Sequence, residues 1–280
     1  MNKLRTKEST LTEMTNSAIT GLAHFLHEGI EQRLEPVRVA RAAYALLAGG
    51  CSTRGSFPGN RVADFLVAAQ QDDGGWSDVV ETLWCLWYLY ALGEGYDKEI
   101  ANGRKWLASV RLPCGAWGRS SRDQPRIPIT ALATVLAPET VGKSALGWLA
   151  QQWEADLSNP TQLTYKGAFF LLSQAHSRAY YNNNLVNRTV AYLISEQEED
   201  GGFSPWKGHP AGSDPWSTGV ALWGLSSVRE LVSRRTIEQA LSWLQSKQLP
   251  NGLWPYHYLD DGTAMALIGA SSVLPALREY

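Results

Sequence analysis

Apolar and polar residues alternate along this chain in two different ways, and the two kinds of segment follow one another. Around 234–248, Ile237, Leu241 and Leu244 alternate with Arg234, Arg235, Glu238, Gln239 and Lys247. A single apolar stripe with a 3.6-residue period predicts a helix with one wet side. Val80 to Leu92, Thr218 to Leu225 and Thr263 to Leu274 are instead apolar nearly all round. A helix with no polar face has to be enclosed by its neighbours. Dry helices are expected near 36–48, 78–92, 128–137, 161–175, 215–231 and 261–276, each paired with a wet one. Thr82, Thr130, Thr164, Thr218 and Thr263 fall in the first turns of five of them. Capping is the ordinary use of threonine there.

The alternation is a repeat. An aromatic-leucine pair recurs at Phe25-Leu26, Phe65-Leu66, Trp106-Leu107, Trp148-Leu149, Tyr192-Leu193 and Trp243-Leu244. The spacing of roughly 40 to 50 residues suits two helices and two loops per unit. Glutamines follow several pairs, at Gln70, Gln71, Gln151, Gln152, Gln197, Gln245 and Gln248. A glycine-aromatic turn comes next: Asp73-Gly74-Gly75-Trp76, Cys114-Gly115-Ala116-Trp117, Asp200-Gly201-Gly202-Phe203 and Asn251-Gly252-Leu253-Trp254. The first and fourth repeats lack a clean turn. Six wet helices around six dry ones predict an all-α fold, an (α/α)6 barrel or toroid of six helix pairs. It is expected to form one domain over 11–280 behind a flexible N-terminus at 1–10. A linear solenoid would pair helices in the same way, but the dry inner set and the count of six favour a closed ring.

Composition narrows the partners. A net charge of -2 leaves no footprint for nucleic acid or an anionic lipid surface. Cys51, Cys85 and Cys114 form no CxxC pair, which suggests a reduced cytoplasmic setting. Met1 to Thr10 carries basic residues but no apolar stretch follows, so no ordinary signal peptide is expected. No window approaches the roughly 20 apolar residues of a spanning helix. The 12 tryptophans must pack somewhere, in a large core or around a cavity.

The aromatic-Leu, Gln and Gly-aromatic pattern resembles the glutamine-tryptophan motifs of squalene-hopene and oxidosqualene cyclases, over essentially the whole chain. Class II terpenoid cyclases and prenyltransferase β-subunits share that barrel. In the cyclases a Gly-Gly-aromatic turn leads to an Asp-x-Asp-Asp-Thr acid motif. Here Gly201-Gly202-Phe203 leads to Asp214-Pro215-Trp216-Ser217-Thr218. Asp214 matches the first aspartate and Thr218 the threonine, while Trp216 replaces the proton-donating middle aspartate and Ser217 the last. A second frame lies one repeat later, where Asp261-Gly262-Thr263-Ala264 is similar to the Asp-x-Thr-Ala core. There Asp261 takes the donor position and Asp260 precedes it, with Leu259 and Gly262 in place of the flanking aspartates. The two frames disagree on whether an acid survives. The prenyltransferases hold zinc with Asp, Cys and His, but Trp216 stands where the cysteine would be and Gly262 near the histidine. No metal or other cofactor is therefore expected.

The resemblance implies protonation of an alkene by a buried carboxylic acid, Asp261, with Asp260 and Asp214 in support. Burial and a neighbouring anion both raise a carboxyl pKa. Aromatic faces then stabilise the cation, each by roughly 0.5 to 2 kcal/mol. Trp84, Trp87, Tyr165, Phe169, Trp216 and Trp223 on inner helices are the candidates. Each also has a plainer reading. Asp261 and Asp214 read equally as helix caps, Asp78 and Glu81 as first-turn acids, and each tryptophan as core. Arg119, Arg122 and Arg126 form a basic loop cluster that could grip a diphosphate. His209 and His257 precede the two acid helices and could tune them by a hydrogen bond, although a lone loop histidine is usually incidental.

The leading expectation is an isomerase- or lyase-type terpene cyclase of specialised metabolism, which binds an isoprenoid or polyene in an aromatic-lined cavity and cyclises it by protonation. One barrel is smaller than the two-barrel squalene cyclases, so a shorter substrate, a partner protein or a homo-oligomer would complete the site. Two alternatives stay open. One is a non-catalytic isoprenoid- or partner-binding barrel with a decayed acid motif. The other is a carbohydrate-active (α/α)6 enzyme, which needs a carboxylate pair across the cavity.

Overall fold

The computed structural model describes residues 2–51, 59–159, 162–177 and 181–277. These contain twelve α-helices and no strand. They are α1 (Asn2–Glu31), α2 (Pro36–Ala48), α3 (Gly59–Ala69), α4 (Val79–Leu92), α5 (Asp97–Ser109) and α6 (Ile127–Leu136). After them come α7 (Lys143–Asp156), α8 (Thr164–His176), α9 (Asn183–Glu196), α10 (Pro215–Ser226), α11 (Arg234–Lys247) and α12 (Leu259–Leu277). The expected start of the fourth inner helix at 161 lies outside the described residues. The fifth is shorter than expected: α10 ends at Ser226, and a separate 3-10 turn at Arg229–Leu231 follows.

The even-numbered helices close on themselves. α2 packs on α4, α4 on α6, α6 on α8, α8 on α10, α10 on α12, and α12 back on α2. The odd-numbered helices lie outside them; α7, for example, touches both α6 and α8, and α1 touches both α12 and α2. This is the αα-barrel that the alternation of wet and dry segments predicts. α10 and α12 approach closely because both are glycine there. A Cβ at Gly219 would lie 2.2 Å from the Met265 carbonyl oxygen, and one at Gly269 equally close to that of Gly219.

The repeat motif explains how the outer helices hold together. Gln70 Nε2 donates to the carbonyl of its own turn, at Gly74, and to Glu99 on the next outer helix, at 2.8 and 2.9 Å. Gln197 does the same to Gly201 and Thr236. Gln248 donates to Gly252 and to Met14, so the bond that links neighbours elsewhere here joins the last repeat to α1. The turn indoles of Trp76, Trp117 and Trp254 donate to Leu66, Leu107 and Leu244, the leucines of the aromatic-leucine pairs. Gly74, Gly115, Gly201 and Gly252 each hold a φ between 83° and 95°, a left-handed turn that glycine adopts without strain.

The threonines are not caps. Thr82, Thr130, Thr218 and Thr263 each use Oγ1 to accept the backbone N–H of their repeat's turn aromatic, at 2.9 to 3.0 Å. Fully buried N–H groups of Trp76, Trp117, Phe203 and Trp254 would otherwise lack a partner. Each threonine therefore fixes the start of an inner helix against the turn before it, and so sets which neighbouring side chains face the ring's interior.

Candidate active site

Five inner helices bring their first turns to one end of the barrel, where a cavity of about 850 Å3 opens. Its wall includes Val80 of α4, Pro128 and Ile129 of α6, Tyr165 of α8, Trp216 of α10 and Asp261 of α12. Val80, Pro128, Trp216 and Asp261 share one register: each lies two residues before the threonine that ties its helix to the turn. Farther along the helices, Trp84, Leu132, Phe169 and Met265 continue the wall. The volume lies within the roughly 300–1,000 Å3 usual for small-molecule sites, and the lining is mainly apolar and aromatic. A smaller chamber of about 390 Å3 adjoins it, sharing Arg41, Val80, Arg119, Tyr258 and Asp261.

Four of the six expected aromatics line the large cavity: Trp84, Tyr165, Phe169 and Trp216. Trp216 stands edge-on to Tyr165 with ring centroids 5.6 Å apart, and stacks on Tyr256 at 6.2 Å. Trp223 lies behind the wall, 6.3 Å from both Trp84 and Phe169. Trp87 is turned away from the cavity. It packs at 3.9 Å against Tyr44 and faces a separate pocket of about 110 Å3 with Arg104 and Glu139. One helical turn separates Trp87 from Trp84 in height, and Tyr44 intervenes. Burial pushes the Tyr44 phenol up to about 12, so it stays neutral.

The three expected acids occupy three different environments. Asp214 is the N-cap of α10: Oδ1 accepts the Ser217 N–H at 2.7 Å and Oδ2 the Ser217 hydroxyl at 2.7 Å. Burial raises its pKa, and those bonds partly offset the rise. It is not among the residues that line the cavity. Asp260 is buried and bound by Arg38 of α2, which donates from Nε to Oδ2 at 3.0 Å and from Nη2 to Oδ1 at 2.5 Å. That forked pair joins α12 to α2 across the ring. Asp261 is the one carboxylate in the large cavity's wall among the described residues.

Asp261 is not a cap, contrary to the plainer reading of the sequence. It lies inside the first turn of α12, which begins at Leu259. Its Oδ1 is 3.1 Å from Arg41 Nη2, yet accepts no hydrogen bond. Burial raises its pKa most; Arg41 opposes that, Asp260 adds to it, and the Trp216 side chain favours the ionised form more weakly. The balance is a carboxyl pKa above the ordinary range.

Asp78 and Glu81 serve the backbone. Asp78 caps α4 by accepting the Glu81 N–H at 2.8 Å. Glu81 accepts the N–H of Ser77 on Oε1 and of Val37 on Oε2, each at 3.0 Å. Of the loop arginines, Arg119 and Arg126 line the cavity and Arg122 does not. His257 also lines it, packed 4.6 Å from Tyr256. His209 packs on Trp206 instead and bonds within its own loop. Among the described residues neither histidine hydrogen-bonds to an acid. Among the described residues no three His, Cys, Asp or Glu side chains gather as a metal site. No helix among them is long and apolar enough to cross a membrane.

No protein-family model matches the chain. A stretch of 101 residues is 32% identical to lanosterol synthase of Pneumocystis carinii, covering 32% of this chain and 14% of that protein. Squalene–hopene cyclase of Zymomonas mobilis subsp. mobilis is 24% identical over 213 residues, 62% of this chain and 32% of that protein. The chain thus spans under a third of the length of these curated relatives. Among solved structures, the type II terpene cyclase MstE of Scytonema, in complex with its substrate geranylgeranyl dihydroxybenzoate, aligns with a TM-score of 0.71. The identity is 15%, over 97% of this chain and 99% of that one. The chain is class II terpenoid cyclase-like. A further structural neighbour is ent-copalyl diphosphate synthase of Streptomyces platensis, with a TM-score of 0.60 at 16% identity over 85% of this chain and 50% of that one.

The two frames in which the resemblance can be read occupy equivalent places in the barrel. Thr218 and Thr263 do the same work, so α10 and α12 start in the same register. At the position two residues earlier, α10 offers an indole and α12 a carboxylate, and both face the cavity. Sequence reasoning missed Arg41, Tyr256, Tyr258 and Met265 in the wall. Arg41 had a visible signal, since Arg38 and Arg41 interrupt an otherwise apolar inner helix at a spacing of three.

Proposed function

We propose that this chain is an enzyme that folds an isoprenoid or similar polyene in the large cavity and cyclises it through a carbocation, with Asp261 as the proton donor. The observation that carries the reading is the placement of Asp261: a half-buried carboxyl with a raised pKa in a wall otherwise made of aromatic, aliphatic and cationic residues. Asp261 in its acid form gives its proton to one alkene carbon, and the π electrons form the new C–H bond. The cation left on the other carbon is attacked by the next double bond. The faces of Trp84, Phe169, Tyr165 and Trp216 stabilise charge without adding a nucleophile. Loss of a proton from the last cation ends the sequence. Asp260 supports Asp261 by its charge and by pinning α12 to α2; Asp214 supports it by holding α10, and so Trp216, in place.

The relatedness to lanosterol synthase, squalene–hopene cyclase and the Scytonema cyclase supports this class of chemistry. Glu81 holds two backbone N–H groups and Asp78 caps α4, which speaks against either as the partner of Asp261 in glycoside hydrolysis. The Arg41 contact favours a second reading, a barrel that binds an isoprenoid without protonating it, because a guanidinium beside Asp261 holds the carboxyl towards its ionised form. The test is incubation of wild type and Asp261→Asn with a panel of prenyl diphosphates and linear polyenes, read by mass spectrometry. Turnover should fall by about 100-fold to 10,000-fold in the variant, as for loss of a general acid. Ligand bound and recovered unchanged by the wild type would support the second reading.

A further inference from the structure

The large cavity is two layers of side chains deep. Val80, Pro128, Tyr165 and Asp261 lie in its upper layer. Trp84, Leu132, Phe169 and Met265 each stand four residues farther along the same helices, which at 1.5 Å per residue is about 6 Å deeper. Among the described residues none from the next turn lines the cavity.

Aromatic rings close it there. Beneath Trp84 and Phe169 lie Tyr44 of α2 and Trp223 of α10. Tyr44 is 5.2 Å from Trp84 and 6.0 Å from Trp223. Trp223 is 6.3 Å from both Trp84 and Phe169. The rings come from four inner helices and meet edge-on or tilted, so together they form a plate across the barrel. The helices do not part to let the cavity pass around it: a Cβ at Gly224 of α10 would lie 2.6 Å from the Ala168 Cα of α8. On the far side of the plate, Trp87 packs on Tyr44 and faces the pocket of about 110 Å3. The plate also differs from the framework in its bonding. Trp76, Trp117, Trp153 and Trp254 all spend their indole N–H on a carbonyl or hydroxyl. Among the described residues the Trp84 and Trp223 indoles and the Tyr44 hydroxyl make no hydrogen bond. These rings fill space in the interior and tie no helix to a turn.

We propose that the plate of Tyr44, Trp84 and Trp223 is a ruler that decides which double bond of the substrate meets Asp261. The inference rests on the cyclase reading above and names its specificity: a linear polyene with a plain hydrocarbon end. An extended isoprene unit, four carbon–carbon bonds, is roughly 5 Å long. The drop from Asp261 to the plate is about one such unit. A chain whose end rests on the rings therefore holds its terminal double bond level with the carboxyl. The Asp261 proton goes to one carbon of that double bond, whose π electrons make the new C–H bond and leave the cation on the other carbon. With the plate opened, the chain sinks by one unit. The same acid then protonates the next double bond inward, and the terminal unit stays outside the new ring. Tyr44 and Trp223 are positioning residues in this account, since they act through Trp84 and Phe169.

Two readings test the ruler. The first is calorimetric binding of geraniol, farnesol, geranylgeraniol and geranylfarnesol, which needs no turnover. In wild type the affinity should rise with length and then level off. In Trp84→Leu and in Tyr44→Leu the limiting length should grow by one isoprene unit. The first chain beyond the wild-type limit should gain about tenfold or more, as expected for burying one further unit. Tyr44→Leu breaks no hydrogen bond and keeps the test open if Trp84→Leu does not fold. The second reading is the position of deuterium in products formed in deuterated water. Wild type should carry the label in the terminal isoprene unit, and the variants one unit inward, with an open prenyl end. An unchanged limiting length in the variants overturns the plate as the floor. A label that stays in the terminal unit of the variants' product overturns the ruler. Failure of wild type to cyclise any polyene counts against the proposed reaction, and the binding limit still decides the plate.

Discussion

The first turns of α10 and α12 are built alike and used differently. In each, a buried threonine accepts the backbone N–H of an aromatic turn, Phe203 for Thr218 and Trp254 for Thr263. In each, the side chain two residues earlier faces the cavity. On α10 that side chain is Trp216, and the helix is capped by Asp214, whose oxygens are bonded to Ser217. On α12 it is Asp261, whose Oδ1 accepts no hydrogen bond, and the helix is pinned instead by Asp260 and Arg38. Framework and chemistry are thus separable within one register: the threonine fixes where a side chain points, and the residue placed there decides whether it is wall or acid.

The largest expected difference is in stability at the α12 end. Arg38→Met leaves the Asp260 carboxylate buried without its partner, which should cost about 3 to 5 kcal/mol, measured by denaturant unfolding. α10 has no comparable pair. A loss below about 1 kcal/mol would mean that water replaces the arginine and the two helix starts are held alike.

A smaller effect separates the two aspartates. Asp214→Ala removes an N-cap and should cost about 1 kcal/mol. Asp261→Ala removes no cap and should cost nothing on that account. Equal losses would erase the distinction between capping and cavity-facing carboxyl.

The smallest effect is a pH dependence. Burial lifts the pKa of Asp261 in the folded chain above its unfolded value. The folded state therefore binds the proton longer, and stability from this group is present below the ordinary carboxylate range and lost as pH rises through the folded pKa. Asp261→Asn lacks that loss, so the variant should gain on wild type as pH rises towards neutrality. Thermal unfolding of both between acid and neutral pH checks the sign; parallel curves would place an unperturbed carboxyl there.

Much of the barrel was legible because its determinants are local and repeated. The aromatic-leucine pairs, the glutamines and the glycine turns recur in the chain, and dry helices stand out from wet ones. The threonines were visible but misread as caps, because the N–H they accept lies 6 to 15 residues away, beyond a helix start. The site was legible in part. Trp84, Tyr165, Phe169, Trp216 and Asp261 face the cavity, since inner helices offered few candidates. Trp87 and Trp223 could not be told from them, because direction around a helix enclosed on all sides leaves no polar pattern to read. Arg41 escaped notice for the opposite reason: its partner is 220 residues away on α12, and only ring closure brings the two together.

The central claim, that a proton from the protein starts the reaction, is tested most directly by running the reaction in deuterated water and weighing the cyclised product. Asp261 exchanges its proton with solvent before each turnover, so the account predicts one deuterium retained in every cyclised molecule at the carbon that was protonated. The label should vanish together with the product in Asp261→Asn. A cyclised product formed without any deuterium would contradict the account, since the cation would then have arisen without protonation.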